Sequence, residues 1–124
     1  MNYVIILAFL LASGINATAQ LLLKKGSLSA GPALAENASL FDKLFKVLLN
    51  PFIASAIVFL VVGMFVWIKI LSRVELSRAY PVNIALTIIF TSVASIFLFQ
   101  ESVTWMKFTG IILVIIGIWA LLAR

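Results

Sequence analysis

Four apolar runs, each about as long as a bilayer is thick, constrain this chain more than any other feature. They cover about residues 3–23, 52–71, 79–99 and 106–123. Hydrocarbon holds no water, so a crossing segment must satisfy its backbone N–H and C=O groups internally. A helix does so in roughly 20 residues, covering about 30 Å. The composition agrees: 65% of the 124 residues are hydrophobic and 10% are charged. The expected architecture is an all-α membrane protein with one four-helix transmembrane domain over residues 1–124. The first run lacks a basic n-region and continues past Ala17-Thr18-Ala19 to Leu23. Three further runs follow, so it reads as a retained helix rather than a cleaved signal peptide.

The side-chain inventory excludes several chemistries. The chain has no cysteine and no histidine. Disulfide staples, the usual zinc, haem and iron–sulfur ligand sets, and Ser-His or Cys-His nucleophiles are therefore absent. No cofactor, metal or enzymatic activity is expected. The net charge of +5 lies at the ends of the apolar runs. That placement suits anionic lipid headgroups, and no nucleic-acid partner is expected. Lys and Arg divide almost evenly: Lys24, Lys25, Lys43, Lys46 and Lys107 on one side, Lys69, Arg73, Arg78 and Arg124 on the other. The positive-inside rule then leaves orientation open, and the amino terminus levels the tally further.

The connections differ in character. Spans two and three are joined by Ser-Arg-Val-Glu-Leu-Ser-Arg, and spans three and four by Gln-Glu-Ser-Val-Thr-Trp-Met-Lys. Such short links make antiparallel neighbours. The first loop is longer. Its first half, GSLSAGPALAENAS, is rich in turn residues and is expected to be irregular. Its second half is expected to form a short amphipathic helix over about 40–49, opened by the Ser39-x-x-Asp42 capping pattern. Leu40, Phe41, Leu44, Phe45 and Leu48 share its apolar face. That face fits either the membrane interface or the protein's own bundle. Pro51 is expected at the first helical position of span two. Tyr80-Pro81 opens span three, as a first-turn starter or a kink. Lys69 is placed to snorkel, and Trp67, Trp105 and Trp119 fall near span ends as interfacial aromatics do.

No Asp or Glu lies in the middle of any span. Proton-coupled pumps carry such an acid. The interior polar residues are neutral: Ser13, Asn16, Thr18 and Gln20 in span one, and Asn83, Thr87, Thr91, Ser92 and Ser95 in span three. Asn16 and Gln20 share a helical face at i, i+4, as do Asn83, Thr87 and Thr91. The two stripes either line a hydrated cavity, with Tyr80 and Glu101 at its ends, or bond helix to helix. Gly110 and Gly117 share a face of span four that permits close helix approach, within one chain or in a dimer. Four thin helices enclose little volume, which favours an oligomer. Lys24, Lys25 and Arg78, at span ends, are either membrane anchors or phosphate contacts.

The segments ELSRAYPVN, FLFQESVTWMKFTGIILVIIGIWAL and GINATAQLLLKKG, in this order and spacing, resemble the drug/metabolite transporter superfamily. The resemblance covers all four spans and implies a bundle like that of the small multidrug resistance family. That family's resemblance implies antiparallel dimers and a span-one glutamate for protons and cationic cargo. The equivalent position here falls near Asn16, so proton-coupled drug export is disfavoured. The chain is more similar to the subunits that flip aminoarabinose-linked undecaprenyl phosphate. It shares with them Gln20-x3-Lys24, Asn50-Pro51 and Ala79-Tyr80-Pro81. This likeness implies a lipid-linked sugar as substrate, a homodimer or a heterodimer with a paralogue, and the bacterial inner membrane. A small-molecule exporter and a non-transporting scaffold subunit are the alternatives.

Overall fold

The computed structural model describes residues 2–35, 37 and 39–123. Met1 and Arg124, counted in the charge tally, lie outside them. The described residues form five helices: α1 (Tyr3–Ala35), α2 (Leu40–Leu48), α3 (Pro51–Leu71), α4 (Leu76–Phe99) and α5 (Trp105–Leu122). Four of them, α1, α3, α4 and α5, are long and apolar enough to cross a membrane. The two local start signals act as expected. Ser39 Oγ accepts from the Asp42 amide at 3.3 Å and donates to Asp42 Oδ2 at 2.7 Å. Asn50 Oδ1 accepts from Phe52 N at 3.0 Å ahead of a helix that begins with Pro51.

Residues 26–35, most of the first half of the first loop, are not irregular, since α1 runs on to Ala35 as a helix of 33 residues; Glu36 and Ala38 lie outside the described residues. At 1.5 Å per residue it is about 50 Å long, well beyond the hydrocarbon thickness. The small residues that read as turn signals serve packing instead. Gly26 and Ala30, one turn apart, are buried. A Cβ at Gly26 would come within 2.4 Å of Ile53 Cγ1, so only glycine lets α1 lie this close to the first turn of α3. Asn50 Nδ2 donates to Ser29 Oγ at 2.7 Å and ties the extension to the α3 cap. Pro32 is accommodated inside the helix near its end.

Among the described residues α2 buries none of its side chains, and Leu40, Phe41, Leu44, Phe45 and Leu48 all stand exposed. Its apolar face therefore does not fold back onto the bundle. Two residues separate α2 from α3, which holds it at the level where α3 begins its crossing. That is the form of an interfacial helix.

α1 is the centre of the bundle and packs against both α3 and α4, whereas α3 and α4 meet only sparsely. The best-packed region lies near the α3–α4 turn, where Phe9, Ala12, Ile70, Ala79 and Val82 form the core. Ser13 is buried beside them, its hydroxyl donating to Phe9 O at 2.7 Å. α5 packs on α4 and has no buried residue among those described. Pro81 is the sixth residue of α4, past the first turn. It is an internal proline that leaves the Ser77 carbonyl without its helical donor.

Candidate functional site: a polar groove with an apolar rim

Because α3 and α4 diverge while each stays against α1, a groove of about 630 Å³ opens between them. Its volume is typical of a small-ligand site, at about 300–1,000 Å³. Asn16 and Gln20 of α1 and Asn83, Thr87 and Thr91 of α4 line it, with Tyr80 and Trp67 at the end nearest the α3–α4 turn. The two polar stripes thus meet in one place. The i, i+4 spacing explains why: it turns each set of side chains to one side of its helix. The groove is open to the surface rather than enclosed by the single chain.

The threonine hydroxyls of the lining are committed to their own helix. Thr87 Oγ1 donates to Asn83 O at 2.8 Å, and Thr91 Oγ1 donates to Thr87 O at 2.7 Å. Both hydroxyl protons are used within α4, so each threonine offers only lone pairs to the groove. Asn83 is 7% exposed, and its buried Oδ1 has no partner among the described residues. Among the described residues the side-chain amides of Asn16 and Gln20 make no hydrogen bond either. The groove floor is thus neutral and polar, with threonine oxygens that only accept and amides that both accept and donate, and among the described residues no carboxylate lines it.

The rim is apolar: Leu60 and Met64 from α3, Ile84 and Ile88 from α4, all exposed. Gly63 sits between the rim residues, where a Cβ would lie 3.2 Å from Ile15 Cγ2 and 3.4 Å from Asn16 Oδ1. Sequence reasoning missed the α3 wall. Its signal was present, since Leu60, Gly63, Met64 and Trp67 recur at helical spacing on one face. Trp67, expected only as an interfacial aromatic, packs edge-on to Tyr80 with ring centroids 6.5 Å apart.

Glu101 does not line this groove, which corrects its placement there. α4 stops at Phe99, and Gln100 adopts a left-handed conformation with φ 52°. The turn carries Glu101 beyond the helix and toward α1, where Oε1 pairs with Lys24 Nζ. Its other oxygen, Oε2, lies 3.8 Å from Lys107 Nζ. Lys24 also sits over the Phe99 ring, 4.7 Å from its centroid. With Gln20, Leu21, Thr91, Ser92 and Ser95 it lines a smaller cleft of about 190 Å³. Gln20 and Thr91 belong to both spaces, so the cleft continues the groove toward Lys24.

The basic residues grouped by sequence are not together. Lys25 faces the other way, 4.8 Å from the Phe52 ring centroid. Arg78 lies at the opposite membrane end, with Nε 4.0 Å from Glu75 Oε2. From Arg78 to the end of α4 is about 30 Å at helical rise. No single phosphate touches both Arg78 and Lys24. Gly110 and Gly117 are uncovered, and a Cβ at either meets nothing within 4 Å among the described residues. Their face is not used for packing within the chain.

Several known proteins are similar to this chain. A "Probable 4-amino-4-deoxy-L-arabinose-phosphoundecaprenol flippase subunit ArnF" of Proteus mirabilis (strain HI4320) is 35% identical over 108 residues, covering 82% of this chain and 78% of that protein. A protein named as the ArnE subunit of the same flippase, from Hamiltonella defensa, is 35% identical over 63 residues, 51% of this chain and 56% of its own length. Another so named, from Pseudomonas aeruginosa (strain LESB58), is 36% identical over 69 residues, 56% and 58% of the two chains. No solved structure matches. Residues 42–114, well over half of the chain, match the Small Multidrug Resistance protein family. This four-span membrane protein belongs to that family.

Proposed function

We propose that the chain is a flippase, or a flippase subunit, for a polyprenyl-phosphate-linked amino sugar in the bacterial inner membrane. One observation carries the reading: a neutral polar floor lies beneath an exposed apolar rim, with no carboxylate among the described residues of the groove. An amino sugar brings hydroxyl and ammonium donors, which match the threonine lone pairs and the side-chain oxygens of Asn16 and Gln20. Its polyprenyl tail stays in lipid along Leu60, Met64, Ile84 and Ile88. Neutral groups hold a sugar without the tight grip of an ion pair, so the headgroup is released after crossing. The relatives named as subunits of an aminoarabinose-phosphoundecaprenol flippase support the same cargo class. Lys24, at the groove's far end, is the phosphate contact. The bare glycine face of α5 is the surface for a second subunit, a copy of this chain or a paralogue.

Native mass spectrometry from mild detergent tests the proposal and reports subunit number in the same spectrum. The protein is expected to retain an amino-sugar-linked undecaprenyl phosphate over undecaprenyl phosphate alone. Asn16→Leu with Gln20→Leu removes two amides. At about 0.6 kcal/mol each, and up to about 1.7, that lowers the preference about ten-fold. Equal retention of the two lipids by the unmodified protein would sink the reading.

A further inference from the structure

Glu101 places its two carboxylate oxygens against two different lysines, and only one of those lysines faces the groove. Oε1 holds Lys24, which lines the cleft continuous with the groove. Oε2 lies 3.8 Å from Lys107 in the first turn of α5, and Lys107 Nζ also donates to Ser102 O at 3.2 Å. The carboxylate is therefore already shared. Its pairs are partly exposed, with side-chain exposures of 42% for Lys24 and 31% for Glu101, so they are open to exchange.

We propose that Glu101 is a resident anion that holds Lys24 in the empty protein and passes to Lys107 when the cargo phosphate takes its place. This rests on the reading of Lys24 as the phosphate contact. The exchange is electrically neutral for Lys24, since one anion replaces another. It is near-neutral for Glu101, since it leaves one lysine for the next. Were Lys107 absent, an incoming phosphate would strand a carboxylate beside itself, and like charges would repel. A neutral polyprenol lacks the charge to displace Glu101, so the same device rejects unphosphorylated lipid. The left-handed turn at Gln100 makes the handover possible. It puts Glu101 in a connection rather than on a rigid helix, between the end of α4 and the start of α5.

A double-mutant cycle tests the handover, read as undecaprenyl phosphate binding by native mass spectrometry with undecaprenol as the uncharged control. Glu101→Gln frees Lys24 and is expected to tighten undecaprenyl phosphate about two- to five-fold, the range of partly exposed ion pairs, and to leave undecaprenol unchanged. Glu101→Asn gives the same sign, because loss of charge is what matters. Lys24→Gln abolishes the preference for the phosphorylated lipid. Lys107→Gln weakens binding about two-fold in the native background, because Glu101 then holds Lys24 alone. In the Glu101→Gln background Lys107→Gln does nothing. If it weakens binding equally in both backgrounds, Lys107 is only another cation and the handover is wrong, as it is if Glu101→Gln binds no tighter. The sugar preference set by Asn16 and Gln20 survives that result. If the unmodified protein binds both lipids alike, the phosphate role of Lys24 falls, and the handover with it.

Discussion

Asn83 separates stability from function in a measurable way. Its Oδ1 is enclosed between helices without a hydrogen-bond partner among the described residues, although the residue lines the groove. Leaving a buried acceptor unpaired costs about 1–3 kcal/mol in a soluble protein. In a bilayer the unfolded helices find partners too, and measured interhelical bonds average about 0.6 kcal/mol. Asn83→Leu keeps the branching at Cγ and exchanges the unpaired amide for two methyl groups. The groove beside it gives the slightly larger side chain room, so overpacking is small. The variant is therefore expected to be more stable by about 0.5–2 kcal/mol, read from unfolding in mixed detergent micelles. Retention of the amino-sugar lipid is expected to fall in the same preparation. The opposite signs matter, because damage to the fold would lower both. A variant that is destabilised, or one that keeps its lipid preference, would refute the reading of Asn83 as a groove residue kept for cargo at a cost in stability. Thr87→Val is a useful comparison. It removes a hydroxyl that donates to Asn83 O at 2.8 Å, an oxygen that belongs to the regular helix. Its stability is expected to change by less than about 1 kcal/mol.

Gly26→Ala places a Cβ 2.4 Å from Ile53 Cγ1 and 3.2 Å from Ile53 N, so turning a side chain does not relieve it fully. Overpacking of about 1–3 kcal/mol, set against roughly 1 kcal/mol of helix propensity, leaves a net loss of about 0–2 kcal/mol. Amide exchange should rise in the last turns of α1 as the Asn50–Ser29 bond is pulled apart; unchanged exchange would show that α1 does not depend on this contact. Gly117→Leu adds a side chain where a Cβ meets nothing within 4 Å among the described residues. It should lower the two-subunit fraction in native spectra and leave thermal unfolding of the single chain unaltered, and an intact dimer would remove α5 from the interface.

The groove floor was legible because it rests on periodicity alone. Asn16 with Gln20, and Asn83 with Thr87 and Thr91, are marked against an apolar background, and helical spacing settles which way they turn. The α3 wall carries no such contrast. Leu60 and Met64 look like every other residue of a span that is apolar all round, and only their neighbours make them a rim. The first loop failed for the opposite reason: Gly26, Ser27, Ser29 and Gly31 are strong turn signals locally. Burial of Gly26 against α3, and of Ala30 one turn on, outweighs that propensity, and sequence does not show the partner surface. Glu101 escaped because a left-handed residue breaks the periodicity that aims every side chain before it.

The basic residues carry a further consequence of the fold. Read as a class, Lys24 and Arg78 are both cations at span ends. The alternation of α1, α3 and α4 puts them at opposite membrane surfaces, with the groove between. Gln20 leads to Lys24 at one mouth, and Tyr80 stands two residues from Arg78 at the other. Each cation has an acid beside it, Glu101 in one case and Glu75 in the other. Under the proposed function, a phosphate that crosses with its sugar would leave one cation before it meets the next, and the neutral amides and hydroxyls would carry the headgroup over the distance between them. An acid in the middle, as in the proton-coupled pumps, would attract the ammonium of an amino sugar and hold it there. Its replacement by amides lowers that trap, and the two cation–acid pairs leave the electrostatic work to the two surfaces.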